Sequence, residues 1–126
     1  PIARNRHVVV MGLIEGTELR YAEIEEPVPT FNEIIVNIRR AYLNAGVIHA
    51  DLSEFNILIK PEGKILIIDW PQAVENDHPN AERLLNRDVE NILYFFRKRY
   101  GLSSSLEDAL AYVKGQKRTM RTCLTT

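Results

Sequence analysis

Two short isoleucine-rich runs between two long amphipathic stretches constrain the fold of this chain more than any other feature. The runs span residues 57–59 and 65–68, and the segment 60–64, KPEGK, joins them with a proline and a glycine. Proline and glycine between two apolar runs of this length indicate a hairpin turn. Because helical patterns lie on both sides of the hairpin, the sequence predicts an α+β fold that is mainly helical.

Helical periodicity is clear on both sides of this hairpin. The first helix is predicted to begin at Thr30, with Glu33 completing a capping box, and to end at Gly46. The second is predicted over about residues 80–100, with Gly101 ending it. The apolar positions at helical spacing are Phe31, Ile34, Ile35, Ile38, Tyr42 and Leu43 in the first helix, and Leu84, Leu85, Val89, Ile92, Leu93 and Phe96 in the second.

Shorter elements fill the rest of the chain. Residues 7–11, HVVVM, are predicted to form a buried strand, and residues 17–21 a helical turn capped by the threonine at its start. Residues 47–48 are predicted to be extended. Ser104 and Glu107 predict a second capping box, at the start of a last helix. The inward-facing residues of this last helix are predicted to be Leu106, Leu110 and Val113.

Composition sets only weak bounds on function. The chain has 126 residues, 45% apolar and 26% charged, and shows no internal boundary, so we expect one domain over residues 1–126. Sixteen Lys and Arg against seventeen Asp and Glu give a net charge of −1, which indicates no particular partner. Cys123 is the single cysteine, which fits a reducing compartment, and a cytoplasmic location is expected. No apolar run is long enough to span a membrane, so no membrane partner is expected.

The end of the chain is basic. Residues 114–126 contain four Lys and Arg residues and no Asp or Glu. A solvated tail and a phosphate-contacting patch are both consistent with this run.

Three oxygen-bearing side chains flank the predicted hairpin. Asp51 follows the extended stretch 47–48, Asn56 opens the hairpin, and Asp69 closes it. Singly, each would be an ordinary turn or capping residue, but together they are expected to converge at one edge of a small sheet. Mg²⁺ usually takes one or two carboxylates and completes its shell with phosphates and water. A remaining carboxylate can orient or deprotonate a nucleophile, so the spacing predicts a magnesium site beside a catalytic carboxylate.

The same residues carry a resemblance to a known family. The segment 49–56, HADLSEFN, followed by IIDW at residues 67–70, resembles the catalytic-loop and metal-loop pair of protein-kinase-like folds. The closer resemblance is to the RIO atypical kinases. Residues 78–100 resemble the following helix in the RIO subfamily that also carries an N-terminal winged-helix domain. Two departures are Ala50, where RIO proteins more often have Gly, and Trp70, where Phe is usual.

What the resemblance implies is a protein-kinase-like C-terminal lobe, mainly helical, with a short β-hairpin and a hinge strand at about residues 7–14. Asp51 would be the catalytic aspartate, and Asn56 and Asp69 would hold Mg²⁺ or Mn²⁺. Asp69 would also be the phosphate acceptor implicated in the family. The residues that would border the adenine of ATP are Met11, Gly12 and Ile14. The implied function is an ATP-dependent kinase or ATPase of small ribosomal subunit maturation, with the pre-ribosomal subunit and its RNA as partners.

The parts that cover the phosphates are not found in this sequence. A kinase needs a Gly-rich loop and a lysine on a strand upstream of the hinge. The chain has no Gly-rich loop, and no lysine precedes Lys60. We therefore expect a C-terminal lobe only, with the N-terminal lobe missing and no activity from these residues alone.

Two other classes of function remain open at this point. Small-molecule phosphotransferases of the aminoglycoside and choline kinase type share the loop pattern and often have I-D-W, which Trp70 favours. Glu54–Phe55 and Pro71–Gln72 favour the RIO reading instead. A non-catalytic nucleotide-binding module would be expected to have lost Asp51, Asn56 or Asp69, and all three are present.

Asp88 is predicted to be buried and structural. It lies on the apolar side of the long helix, next to Val89, and a buried carboxylate needs partners. In kinase folds, which this chain resembles, an aspartate on this helix holds the backbone of the catalytic loop. We therefore expect Asp88 to accept hydrogen bonds from near His49.

Overall fold

The structure is a computed structural model that describes residues 16–124. The predicted hinge strand at residues 7–14, with the adenine-pocket residues Met11, Gly12 and Ile14, lies outside the described residues.

The described chain combines three α-helices with seven short strands. The α-helices are α1 (Pro27–Arg40), α2 (Ala81–Tyr100) and α3 (Leu106–Val113), with a 3₁₀ turn at Leu19–Tyr21 and a π-helical turn at Ala41–Ala45. The strands are β1 (Thr17–Glu18), β2 (Val47–Ile48), β3 (Ile57–Ile59), β4 (Ile65–Ile67), β5 (Val74–Glu75), β6 (Leu102–Ser104) and β7 (Thr122–Leu124).

The strands form small antiparallel sheets. The predicted hairpin is present as β3 and β4, paired with Ile57 opposite Ile67, and β1 lies on the other side of β3. Gly63 has a φ of +90°, which a non-glycine residue would adopt only with strain, and its N–H donates to the carbonyl of Lys60 at 2.7 Å. Two-stranded ribbons are formed by β2 with β5 and by β6 with β7.

The core lies where α1, α2 and α3 pack against one another, and the hairpin packs on α1 through β4. Phe31 of α1 meets Phe96 of α2 edge-to-face, with ring centroids 5.4 Å apart. Each fully buried side chain of this size contributes about 1.5–3 kcal/mol by leaving water. The helical periodicity was therefore predictive, because the residues it selected form most of this core. The largest fully buried apolar side chains are Leu19, Phe31, Ile34, Ile35, Leu52, Ile57, Leu85, Val89, Ile92, Leu93, Phe96 and Leu102.

The predicted start of the first helix is wrong. Helix α1 begins at Pro27, three residues before Thr30, because proline suits the first helical turn, where its missing N–H is not needed. Thr30 lies inside that turn, and its hydroxyl donates to the carbonyl of Glu26 at 3.1 Å instead of capping the helix. The predicted end holds: the π-helical turn prolongs α1, and Gly46 follows in the left-handed conformation with a φ of 71°.

Two other predicted caps are displaced. Ser105, not Ser104, caps α3, and its hydroxyl accepts from the N–H of Asp108 at 3.2 Å. Ser104 lies in β6, and its hydroxyl donates to the carbonyl of Arg121. Thr17 likewise pairs with Ile59 as part of β1, so it does not cap the helical turn that follows.

The basic end of the chain is tied to the body of the molecule as far as Leu124. Strand β7 pairs with β6, and the hydroxyl of Thr122 donates to Asn32 of α1 at 3.1 Å. Arg39 donates to the carbonyls of Tyr112 and Lys117 at 2.9 and 3.0 Å. Residues 114–124 are therefore not frayed, although most of them are exposed to solvent. Across residues 16–124, no helix has the length and apolar character needed to cross a membrane.

Candidate active site

The hairpin places Asn56 beside the metal loop. Asn56 directly precedes β3, Asp69 follows β4 by two residues, and the N–H of Ile68 donates to the carbonyl of Asn56 at 2.8 Å. This bond continues the β3–β4 ladder by one step. The backbone of Asn56 and that of the residue before Asp69 are therefore fixed together.

His49 joins the catalytic loop to the metal loop. The N–H of Asp51 donates to Nδ1 of His49 at 3.2 Å, so Nδ1 carries no proton and Nε2–H donates to the carbonyl of Ile68 at 2.8 Å. The ring is 4% exposed and packs on Trp70 at 4.8 Å between centroids. One neutral imidazole thus links the backbones next to Asp51 and Asp69.

The Asn56 side chain closes a turn within the catalytic loop. It is buried, and its Oδ1 accepts from the backbone N–H of Ser53 at 3.1 Å and from the Ser53 hydroxyl at 3.3 Å. The second bond is long for O–H···O, so a cation can replace it at little cost. The amide oxygen is held in one direction and can act as a ligand to a metal ion.

The two carboxylates, in contrast, face solvent. Asp51 and Asp69 are exposed, and within residues 16–124 no hydrogen bond reaches either carboxylate. Asp69 adopts a left-handed backbone with a φ of 60°, which Gln72 supports by donating to the Asp69 carbonyl at 2.9 Å. Both side chains are therefore available to ligands.

This donor set fits Mg²⁺. In the described part of the chain, no three His, Cys, Asp or Glu side chains are grouped as a metal site. Mg²⁺ does not require such a group, because it binds through one or two carboxylates together with substrate phosphates and water. Asp69 and the amide oxygen of Asn56 are the residues that would hold it, with Asp51 left for acid–base work.

Asp88 anchors the catalytic loop, as predicted. Its carboxylate is 1% exposed and accepts from the N–H groups of Ala50 at 2.8 Å and Leu52 at 3.0 Å. Burial raises the pKa of Asp88 above its ordinary value, while these two N–H groups and the charge of Arg87 act in the opposite direction. The anchor fixes the backbone on both sides of Asp51.

Two further anchors were not found by sequence reasoning. The Arg87 guanidinium donates to the carbonyl of Ala50, and Nδ2 of Asn91 donates to the carbonyl of Leu52 at 3.0 Å. The signal available in the sequence was their spacing around Asp88, since residues four apart lie on one face of a helix.

A carboxylate on a loop held by a long helix, an amide that opens a hairpin and a carboxylate that closes it are the arrangement of a protein-kinase-like fold. The family model of the RIO domain matches residues 1–109 of the chain. The chain therefore belongs to the RIO family, and the predicted α+β, protein-kinase-like fold class is confirmed.

Individual relatives agree with this assignment. The chain is 45% identical over 104 residues to the RIO-type serine/threonine-protein kinase Rio2 of Methanocaldococcus jannaschii, a match that covers 78% of this chain and 38% of the relative. It is 37% identical over 121 residues to the RIO-type serine/threonine-protein kinase Rio1 of Haloferax volcanii, covering 93% and 41%.

A solved structure is similar over the same region. The crystal structure of the Rio2 kinase–ADP/Mg²⁺–phosphoaspartate complex from Chaetomium thermophilum matches with a TM-score of 0.67 and 32% sequence identity. The match covers 80% of this chain and 34% of that one. The chain thus spans well under half the length of each of these three relatives.

Proposed function

We propose that the protein carrying this chain is an ATP-dependent phosphoryl-transfer enzyme or ATPase of the RIO type, a serine/threonine-type atypical kinase. The observation that supports it best is the link between the loops. Asn56 is bonded to the metal-loop backbone, and the exposed carboxylates of Asp51 and Asp69 lie on the two loops that His49 joins. ATP and Mg²⁺ or Mn²⁺ are the proposed cofactors.

Each side chain has a distinct proposed role. Asn56 and Asp69 hold the metal, whose charge offsets that of the β- and γ-phosphates when it is bound. A carboxylate oxygen of Asp69 attacks the γ-phosphorus in line, and the bond from that phosphorus to the β–γ bridging oxygen breaks, releasing ADP. Water then attacks the phosphorus of the acyl phosphate while Asp51 accepts its proton, and the Asp69 carboxylate and inorganic phosphate are formed. Support for the acyl phosphate comes from the Chaetomium Rio2 structure, which is a complex with ADP, Mg²⁺ and a phosphoaspartate.

The remaining parts of the proposal come from the family resemblance. Residues 1–126 form one domain, a kinase-like C-terminal lobe, and a further lobe of the protein supplies the Gly-rich loop and lysine. Met11, Gly12 and Ile14 border the adenine. The whole protein acts in the cytoplasm on the pre-ribosomal small subunit and its RNA, and belongs to the winged-helix subfamily.

The proposal predicts different defects for the two aspartates in the full-length protein. Asp69→Ala abolishes turnover and weakens Mg²⁺-dependent ADP binding, because a metal ligand is lost. Asp51→Ala slows turnover by about 10²-fold or more and leaves ADP binding nearly unchanged, because it acts on the nucleophile. Turnover is measured as phosphate release from ATP, and ADP binding by calorimetry with and without Mg²⁺. The exposed Asp77 of the neighbouring turn serves as control, and Asp77→Ala keeps both properties.

The acceptor role has its own readout. Protein incubated with γ-³²P-ATP should carry a hydroxylamine-sensitive label, which identifies an acyl phosphate, and Asp69→Ala should carry none. Equal ADP affinity of wild type and Asp69→Ala in Mg²⁺ would contradict the metal assignment, and an unchanged label would contradict the acceptor assignment.

A further inference from the structure

We infer that Arg87 and Asn91 are positioning residues that fix Asp51 for chemistry by holding the peptide group before it and the peptide group that follows Leu52. The inference rests on the proposed function, because it assigns these two residues a part in the reaction of Asp51. It concerns the backbone of the catalytic loop, and neither side chain is required to touch the nucleotide.

Arg87 holds the peptide group between Ala50 and Asp51. The carbonyl of this peptide belongs to Ala50 and accepts from Arg87, and its N–H belongs to Asp51 and donates to Nδ1 of His49 at 3.2 Å. Both ends of the peptide plane are therefore held. A rotation of this plane would break both bonds at once.

Asn91 holds the peptide group between Leu52 and Ser53. The carbonyl of Leu52 accepts from Asn91 at 3.0 Å, and the N–H of Ser53 donates to Oδ1 of Asn56 at 3.1 Å. This peptide is also held at both ends. Here the second end is the side chain of a proposed metal ligand, so Asn91 supports both Asp51 and Asn56.

The two donors on the helix match the two loop carbonyls in spacing. Residues 87 and 91 are four apart, which is about 6 Å along a helix axis. Residues 50 and 52 are two apart, and their carbonyls accept from donors one helical turn apart. One helix face can thus serve both carbonyls, while Asp88 between the two donors takes the N–H groups of Ala50 and Leu52.

The loop needs these anchors because its resting geometry is strained. Ala50 is buried and adopts a left-handed backbone with a φ of 75°, which non-glycine residues avoid. Changing the φ of Ala50 to a negative value would relieve the strain, and because Asp88 holds the Ala50 N–H, this rotation would displace the Ala50 carbonyl and re-aim the Asp51 carboxylate. A displacement of about 1 Å in a catalytic group can cost about 10²-fold in rate. Arg87 opposes that rotation directly.

The test uses the full-length protein with Arg87→Met, Arg87→Lys and Asn91→Leu. Arg83→Met is the matched control, because Arg83 is exposed one turn earlier on α2 and makes no hydrogen bond to the catalytic loop within residues 16–124. The readouts are kcat, the Kd for ADP with and without Mg²⁺, the unfolding temperature, and amide hydrogen exchange of the peptide covering residues 50–53.

Arg87→Met is expected to lower kcat by about 10- to 100-fold with the Kd for Mg²⁺–ADP within twofold of wild type. Arg87→Lys should recover part of the loss, because a single ammonium donor still reaches a carbonyl. Asn91→Leu should lower kcat and also weaken the Mg²⁺-dependent part of ADP binding. Exchange of the loop amides should accelerate in Arg87→Met and Asn91→Leu and remain unchanged in Arg83→Met.

The results that would overturn the inference are specific. Wild-type loop exchange and kcat in Arg87→Met would show that the loop holds its geometry without this bond. An equal fall in ADP affinity with and without Mg²⁺ in both variants would mean either that the side chains contact the nucleotide or that the fold is lost. The unfolding temperature distinguishes these two explanations. If wild type shows no turnover, the proposed function fails, while the exchange data still decide whether Arg87 and Asn91 hold the loop.

Discussion

At the scale of single residues, strain is concentrated in the candidate active site. Among residues 16–124, Ala50 and Asp69 are the non-glycine residues with positive φ, at 75° and 60°. One precedes Asp51 directly, and the other is the proposed metal ligand itself. Backbone strain at such positions persists only where surrounding contacts impose it, and here α2 and Gln72 supply those contacts.

The strain at Ala50 predicts that Ala50→Gly stabilises the protein. Glycine adopts this φ without a steric penalty, and the gain should exceed its entropic cost in the unfolded chain, for a net effect of about 0.5–1 kcal/mol. The measurement is the free energy of unfolding from urea titration. Ala45→Gly is the control, because Ala45 is exposed and helical, and that change should destabilise by a similar amount. Destabilisation by both changes would show that Ala50 is not strained.

Asp88 gives a prediction about pH. Because burial raises its pKa, the folded state holds the Asp88 proton more tightly than the unfolded state does. The Asp88 contribution to stability is therefore largest below its ordinary pKa of 3.8 and declines as the pH rises through the folded pKa.

Asp88→Asn should lack this dependence. The variant should lose about 2 kcal/mol, because its amide NH₂ faces a backbone N–H donor. The difference in unfolding free energy between wild type and Asp88→Asn should shrink as the pH rises from about 3.8. A difference that grows with pH would mean that the two N–H donors and Arg87 outweigh burial.

At the scale of elements, local signals predicted the periodic parts of the chain but misplaced the starts of α1 and α3. The hairpin and α2 follow from apolar spacing and from Gly63 and Gly101, both with positive φ. Thr30 failed as a cap because Pro27 starts the helix earlier, and proline at a first helical turn is itself a start signal.

The ribbon of β6 and β7 was not foreseen at all. Its pairing joins residues about 20 apart, Ser104 with Thr122, and the basic segment between carries no alternating pattern. Asp51, Asn56 and Asp69 were recognisable from the motif, whereas Arg87 and Asn91 bind backbone carbonyls, so that only their spacing on α2 indicated a role.

We predict that Asp108 stabilises the packing of the β6–β7 ribbon against α3. It accepts from the Lys117 side chain at 2.5 Å and from the N–H of Arg121 at 2.9 Å, and the bond from Lys117 holds the pKa of Asp108 below its ordinary value. Asp108→Asn should therefore accelerate amide exchange in residues 117–124. Glu107→Gln, also in the first turn of α3, is the control and should leave that exchange unchanged.

The contribution of the Asp108–Lys117 hydrogen bond to stability depends on pH in the opposite direction to the contribution of Asp88. A carboxyl with a lowered pKa contributes stability above its ordinary value of 3.8, which is lost as the pH falls through the folded pKa. As the pH is lowered, the protection of the ribbon amides from hydrogen exchange in wild type should therefore fall towards the level seen in Asp108→Asn. Equal protection of the two proteins at neutral pH would refute this role of Asp108.

At the scale of the whole molecule, the C-terminal end of α2 holds residues 20–24, which follow β1. The Tyr100 hydroxyl donates to the carbonyl of Ala22 at 3.2 Å and accepts from the N–H of Ile24 at 3.3 Å. Arg99 donates to the carbonyl of Arg20 at 2.8 Å. Helix α2 therefore fixes both the catalytic loop and the chain next to β1, which pairs with the hairpin.

We predict that residues 1–126 alone show no ATP turnover. The sequence contains no Gly-rich loop and no lysine before Lys60, so the γ-phosphate lacks the positive charge that phosphoryl transfer requires. Phosphate release by the purified 126-residue chain should equal that of its Asp51→Ala variant, with the full-length protein as positive control. Turnover above the variant would show that the phosphate-binding groups lie within these residues.

The left-handed backbone of Ala50 also bears on the order in which the chain folds. Its unfavourable φ is compensated by groups 37 and 38 residues away, Arg87 and Asp88. Until α2 has docked, nothing local favours that conformation, and the loop samples the ordinary right-handed and extended basins. Productive alignment of Asp51 is thus expected to arise only once α2 has docked, and to be lost when α2 separates from the loop.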